Sequence, residues 1–270
     1  MKTYVGTSAG KSPAFLAGMC LASCLMAQSG TVTSESAADY GKIVAPDSLA
    51  LAFGSGFASA FLAGTATLQN SMYVLPTTIG GTTVTITDSS KAALNPALYM
   101  VSPEQINFVV PSATALGAGT ISVNSASGSA QGPLLVSNVA PGILTADATG
   151  NGVAAAMVMT VNAAGQSTTT STVQPETPVS AANPIVLGGG NIVYLELFGT
   201  GIRHHSLNPV IALIGGVQAP VTYAGPQNQY PGLDMVTIGP LPSTLAGAGL
   251  VNVMVIVDGV PANTVQVAFQ

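Results

Sequence analysis

Apolar and polar residues alternate along much of this chain with a period of two. Val84 and Ile86 are interleaved with Thr83, Thr85 and Thr87, so an extended segment there has one aliphatic face and one hydroxyl face. Val193, Leu195 and Leu197 face away from Tyr194, Glu196 and Phe198. Val251, Val253, Val255 and Val257 share one side, and Asn252, Met254, Ile256 and Asp258 the other. The Asp258-Gly259 pair then supplies a hairpin turn, and Val265, Val267 and Phe269 form a closing strand. Short strands separated by glycine and proline predict an all-β sandwich architecture.

The pattern occurs twice. Phe53-Gly54-Ser55-Gly56-Phe57 is matched by Phe198-Gly199-Thr200-Gly201-Ile202, and Ile79-Gly80-Gly81 by Ile214-Gly215-Gly216. Gln105-Ile106-Asn107-Phe108 is matched by Met235-Val236-Thr237-Ile238. Leu116-Gly117-Ala118-Gly119 is matched by Leu245-Ala246-Gly247-Ala248-Gly249. Four matches in one order predict a duplicated unit, with one module at residues 40–137 and a second at 191–270. Residues 138–190, with the apolar run Val153 to Val161, a Ser/Thr tract and Pro175, Pro178 and Pro184, are expected to be a hairpin-bearing insert and linker.

Composition supports strands over helices. Hydrophobic residues make up 48% of the chain and charged ones only 6%, against a usual charged share of about 25%. The surface must therefore be built from Ser, Thr, Asn, Gln and Gly. A net charge of -5 argues against nucleic acid and acidic membrane surfaces as partners, since both are gripped by clustered Lys and Arg. With no Trp and 5% aromatic residues, the chain lacks the aromatic girdles of a transmembrane β-barrel.

Residues 1–27 are expected to be a signal peptide: Lys2 and Lys11 precede an apolar stretch from Phe15 to Ala27. It is cleaved either after Ala27 or before Cys24. In the second case Leu21-Ala22-Ser23-Cys24 acts as a lipobox and Cys24 is a lipidation site. Cys20 and Cys24 both lie in this leader, so the mature chain has no disulfide. The expected location is extracellular or in the cell envelope, with no integral membrane span in the mature chain.

Candidate chemistry is sparse. Gly6-Thr7-Ser8-Ala9-Gly10 has nucleophile-elbow spacing but falls in the leader rather than at a strand-to-helix turn. His204 and His205 are adjacent, point to opposite faces if extended, and read as a solvated loop pair. Asp147 to Gly152 reads as an Asx turn more readily than a calcium loop. No carboxylate pair and no cofactor site can be named, so a non-enzyme is expected.

Gln105 and Asn107 alternate with Ile106 and Phe108, so both amides leave one face of a strand. Exposed beside Tyr99 they would suit sugar hydroxyls; covered, they would satisfy loop backbone groups. Tyr223 and Tyr230, with Tyr73, are candidates for a stacking surface.

Val101-Ser102-Pro103-Glu104-Gln105-Ile106-Asn107-Phe108-Val109-Val110-Pro111, Leu75-Pro76-Thr77-Thr78-Ile79-Gly80-Gly81 and Ala140-Pro141-Gly142-Ile143 resemble an uncharacterised C-terminal domain family of exported proteins from Solibacter and other acidobacteria. Each half also looks like the IPT/TIG class of immunoglobulin-like folds. The resemblance implies two tandem immunoglobulin-like (IPT/TIG-type) β-sandwich modules in an envelope setting, and no established activity. In the second half Asp234-Met235-Val236-Thr237 departs from the family's glutamine-valine-asparagine pattern. The leading expectation is a structural or adhesive envelope protein, and the alternative a carbohydrate-binding or polysaccharide-degradation accessory protein. Its partner would be a protein or glycan surface.

Overall fold

The computed structural model describes residues 30–174 and 181–270. The expected signal peptide, the Cys24 lipidation site and residues 175–180 lie outside the described residues.

The first half builds β1 (Thr33–Ser36), β2 (Leu49–Phe53), β3 (Thr67–Gln69), β4 (Met72–Val74), β5 (Thr82–Thr87), β6 (Ala97–Val101), β7 (Gln105–Val109), β8 (Gly117–Ser125) and β9 (Gly128–Val136). The second builds β10 (Ala156–Val161), β11 (Ser167–Ser171), β12 (Ile192–Thr200), β13 (Ile211–Ile214), β14 (Val217–Ala219), β15 (Val221–Pro226), β16 (Asp234–Ile238), β17 (Gly249–Val257) and β18 (Val265–Phe269).

In the first half one sheet runs β1-β2-β7-β6 and the other β5-β8-β9. In the second half the corresponding orders are β10-β12-β16-β15 and β13-β17-β18. Setting aside the β3–β4 hairpin, β11 and β14, both halves place their first, second, fifth and fourth strands in one sheet, and their third, sixth and seventh in the other. That is the strand order of an immunoglobulin-like sandwich of the constant type. In each half the chain also touches the second sheet before entering the first. Gly30–Thr31 pairs in parallel with Ala130–Gln131, and Val153 bridges Gln266 in parallel.

The alternation seen in the sequence is the cause of two separate cores. Ile86, Leu98, Ile106, Phe108 and Ile121 are buried in the first, and Leu195, Leu197, Ile214, Val253 and Val255 in the second. Each such side chain contributes about 1.5–3 kcal/mol by leaving water, which a chain without disulfides in its strands depends on.

Described residues on both sides of 175–180 pack on the second sandwich. Their hairpin, β10–β11, is hydrogen-bonded to β12 along Ala156–Val161, and Val139, Ile143, Val158 and Ile185 are buried in the second core. β10 lies beside β12 as β1 lies beside β2 in the first half, with β11 outside it, so pairing joins this hairpin to the second sandwich.

Three of the four sequence matches fall on equivalent strands: the end of β2 and β12, the strands β7 and β16, and the start of β8 and β17. The reason for the first is steric. A methyl group on Gly54 would meet the Phe57 ring and, at 2.8 Å, the Thr31 carbonyl; one on Gly199 would meet the Gly142 carbonyl. Gly56 and Gly201 both have positive φ, 73° and 71°, which favours glycine. The Gly-Gly match behaves differently. Both turns have φ pairs of the I′ kind, 57° and 82° at Gly80-Gly81 and 56° and 80° at Gly215-Gly216. In the first half, however, the strand after the turn, β5, joins β8; in the second, the strand before it, β13, joins β17. The shared turn thus serves two different strand pairings.

Candidate functional site

The site starts from β7. Ile106 and Phe108 point into the first core, which leaves Gln105 and Asn107 on the sheet's outer face, opposite Phe53 and Leu51 of β2. Gln105 Nε2 donates to Asn107 Oδ1 at 2.7 Å, the one hydrogen bond either side chain makes among the described residues. The neighbouring strand β6 carries an irregularity between Leu98 and Met100. A bulge of this kind re-aims the extra side chain, here Tyr99, which lines the same cleft. Its hydroxyl donates to the Pro231 carbonyl at 2.8 Å. Burial, with Tyr230 nearby, pushes the phenol up to about 12, so it is a neutral donor at any ordinary pH.

The opposite wall comes from the second sandwich. Between β15 and β16 the chain turns through residues 227–233, braced by Gln227 Oε1, which accepts from the amides of Gln229 and Tyr230. Thr200 locks this turn to the first half: its Oγ1 accepts from the Leu49 amide at 2.7 Å and donates to the Gly232 carbonyl at 2.8 Å. Tyr230 is thereby held at the cleft rim and packs on Tyr73 of β4, with ring centroids 5.1 Å apart and a 34° tilt. The Tyr73 amide donates to Gln229 O at 2.9 Å. On a third side Tyr40, with φ 59°, donates to the Ala148 carbonyl at 2.5 Å.

These walls enclose an open cleft of about 360 Å³ lined by Gln105, Asn107, Tyr99, Tyr40, Tyr230 and aliphatic side chains such as Leu51 and Leu233. That size lies within the range usual for ligand sites. Among the described residues no Asp, Glu, His, Lys, Arg or Cys lines it. Arg203, the cation acting on Tyr99, is itself committed: its Nε donates to Asp234 Oδ1 at 2.6 Å and its Nη2 to Leu233 O at 2.8 Å. Asp234 is fully buried, and burial raises its pKa against the opposing pull of Arg203. The arrangement offers hydrogen-bonding amides and aromatic faces rather than groups for proton transfer.

The structure brings together Gln105, Asn107 and Tyr230, with Tyr99 and Tyr73 beside them. It does not bring Tyr223, which stands on β15 away from the cleft lining and donates its hydroxyl to Pro226 O at 2.5 Å. Tyr40 and the leucines of the cleft floor went unmarked by sequence patterning, because their placement depends on contact between the two halves. His204 lies in a turn with its side chain partly exposed, and its Nε2 lies 2.9 Å from Asp47 Oδ2 across the interface. His205 contacts Ser206 O and Ala224 O. Asp147 accepts from the amide and hydroxyl of Thr149, which lower its pKa, as in an Asx turn. Among the described residues no three His, Cys, Asp or Glu side chains are grouped to hold a metal. Among the same residues no helix is long and apolar enough to cross a membrane. A second concavity of about 230 Å³ in the first sandwich is lined mostly by glycines and serines, and its one aromatic ring, Phe57, is buried.

Fold and cleft together define a class: an all-β protein of two immunoglobulin-like sandwiches with a cleft at their junction. No protein-family model matches the chain, and no curated protein matches it. Among solved structures it is similar to SGBP-B of the Bacteroides ovatus mixed-linkage glucan utilization locus, in complex with mixed-linkage heptasaccharide, at 13% identity and a TM-score of 0.30, over 85% of this chain and 43% of that one. It is also similar to SGBP-B from a complex xyloglucan utilization locus in Bacteroides uniformis, at 14% identity and a TM-score of 0.25, over 88% of this chain and 47% of that one. Yersinia pseudotuberculosis InvD is similar at 10% identity and a TM-score of 0.23, over 91% of this chain and 58% of that one. The chain spans less than half the length of the first two, and likenesses this remote carry no statement about what it does.

Proposed function

We propose that this chain is an exported, non-catalytic glycan-binding protein whose site is the cleft between its two sandwiches, each derived by duplication of one IPT/TIG-type unit. The observation that carries the reading is the hydrogen-bonded Gln105–Asn107 pair, set among Tyr99, Tyr40 and Tyr230 in a cleft that, among the described residues, has no ionisable side chains other than phenols. Amides match the hydroxyls of a sugar, and tyrosine rings match its apolar C–H face. A purely structural or adhesive module has no need of such a pairing. The apolar leader at residues 1–27 supports export, where polysaccharides are met.

Retention on a panel of soluble and insoluble polysaccharides tests the reading. The full chain is expected to be retained on at least one. Asn107→Ala and Tyr230→Ala should each weaken binding about tenfold, equivalent to about 1.4 kcal/mol, with thermal melting little changed. Tyr223→Ala should bind like the parent. Retention on none of the panel, or retention indifferent to Asn107 and Tyr230, overturns the reading.

A further inference from the structure

We infer that the cleft selects uncharged polysaccharides and grips them by a free vicinal diol of one pyranose ring, an inference that rests on the glycan-binding reading above. Two observations carry it, one about the amide pair and one about charge.

The first is the hydrogen-bond inventory of the pair. Two primary amides offer two oxygens and four N–H groups. Their mutual bond at 2.7 Å consumes one N–H and engages one oxygen. One free oxygen and three N–H groups remain, whichever amide is the donor. Among the described residues no side-chain nitrogen or oxygen without a partner is shut off from solvent, so Gln105 Oε1 and Asn107 Nδ2, which have no protein partner and belong to residues lining the cleft, keep hydrogen-bonding capacity that a ligand can use. Because the two side chains hold each other, their free groups are presented side by side with little rotamer freedom left to lose on binding. Adjacent hydroxyls on a sugar ring are the ligand groups with matching closeness, each able to donate and accept. By contrast, the hydroxyls of Tyr99 and Tyr40 are already given to Pro231 O and Ala148 O. They hold rings in place, and the amides are left to read the sugar.

The second is electrostatic. Among the described residues no cation lines the cleft, and Arg203 is neutralised by Asp234. Lys42 is paired with Glu35. The whole chain carries -5, so its field opposes an approaching polyanion. A uronate-rich chain would lose solvation in the cleft and find no counter-charge.

The test compares a 1,4-linked glucan, a 1,4-linked mannan, a 1,3-linked glucan, polygalacturonate and carboxyl-reduced polygalacturonate on the full chain, by affinity electrophoresis at low and high salt. The 1,4-linked chains keep the 2,3-diol on every ring, whereas internal residues of the 1,3-linked glucan have no adjacent free pair. Retained neutral chains are then retested after periodate cleavage of their diols and borohydride reduction. The expected result is binding to one or more neutral diol-bearing chains, at least tenfold weaker binding after periodate, and at least tenfold weaker binding of polygalacturonate than of its reduced form. In Gln105→Ala and Asn107→Ala, with melting checked, the periodate-treated and untreated forms should bind alike. Preference for polygalacturonate, or equal binding before and after periodate by the parent, overturns the inference while leaving glycan binding intact. Binding to none of these chains, nor to any glycan in the wider panel, overturns both.

Discussion

Gly201 and Gly216 have similar positive φ values, 71° and 80°, but a methyl group would have different surroundings at each. At Gly201 it would collide with the Ala140 carbonyl, whereas at Gly216 it would enter open space. Alanine at Gly216 should therefore cost only the positive-φ penalty, about 1 kcal/mol, and alanine at Gly201 about 3 kcal/mol or more. Urea denaturation of the two variants checks the gap, and equal losses would contradict it. Asp88 supplies a pH signature. Its Oδ1 accepts from the Ser90 amide and hydroxyl and the Ala92 amide, and its Oδ2 from the Ala115 amide. These bonds, that from Ala115 foremost, lower its pKa below 3.8. A depressed carboxylate stabilises the fold above its unfolded pKa and stops doing so as pH falls through the folded one. Asp88→Asn should lower the melting temperature at pH 7, and the difference from the parent should shrink below about pH 4. A difference that persists unchanged to pH 2 contradicts this role. At this scale the sequence made Gln105 and Asn107 legible, because alternation with Ile106 and Phe108 fixes their face. Tyr223 stands outside the cleft lining, because its strand position shows a tyrosine but not which body lies opposite.

At the scale of elements, periodicity was a reliable guide wherever one face is buried. β5, β12, β17 and β18 follow the alternating residues closely, since slipping by one residue would turn the aliphatic face to water. The role of residues 138–190 was harder to read. β11 is Ser-Thr-Thr-Thr-Ser with all five residues exposed, so its side chains show no burial pattern, and only pairing with β10 makes it a strand. The Gly-Gly turns show the opposite limit: the same local sequence and dihedral angles occur with different long-range partners, because a turn fixes its own hairpin and not the strand beside it. β11 pairs along one side, whereas β12 is flanked by β10 and β16. Native-state hydrogen exchange should therefore release β11 amides orders of magnitude sooner than those of β12. Similar protection in both would mean that β11 is covered by something further.

For the whole molecule, what matters is that each sandwich closes its own core while the cleft belongs to both. Residues 30–137 and 138–270, produced separately, should each melt cooperatively, since neither core draws on the other half. Neither alone should bind glycan, because Gln105, Asn107 and Tyr99 lie on one piece and Tyr230 and Leu233 on the other. Two sandwich cores were legible in sequence; their junction was not, because it rests on isolated contacts such as Thr200 to Leu49 and His204 to Asp47, which leave no periodic trace. The most direct measurement is backbone amide shift mapping of the full chain as a soluble glycan retained in the panel is added. Shifts should concentrate in two places at once, at residues 99–107 of the first sandwich and 229–233 of the second, moving together with one affinity. Shifts confined to one sandwich, or scattered away from both walls, would contradict a shared site.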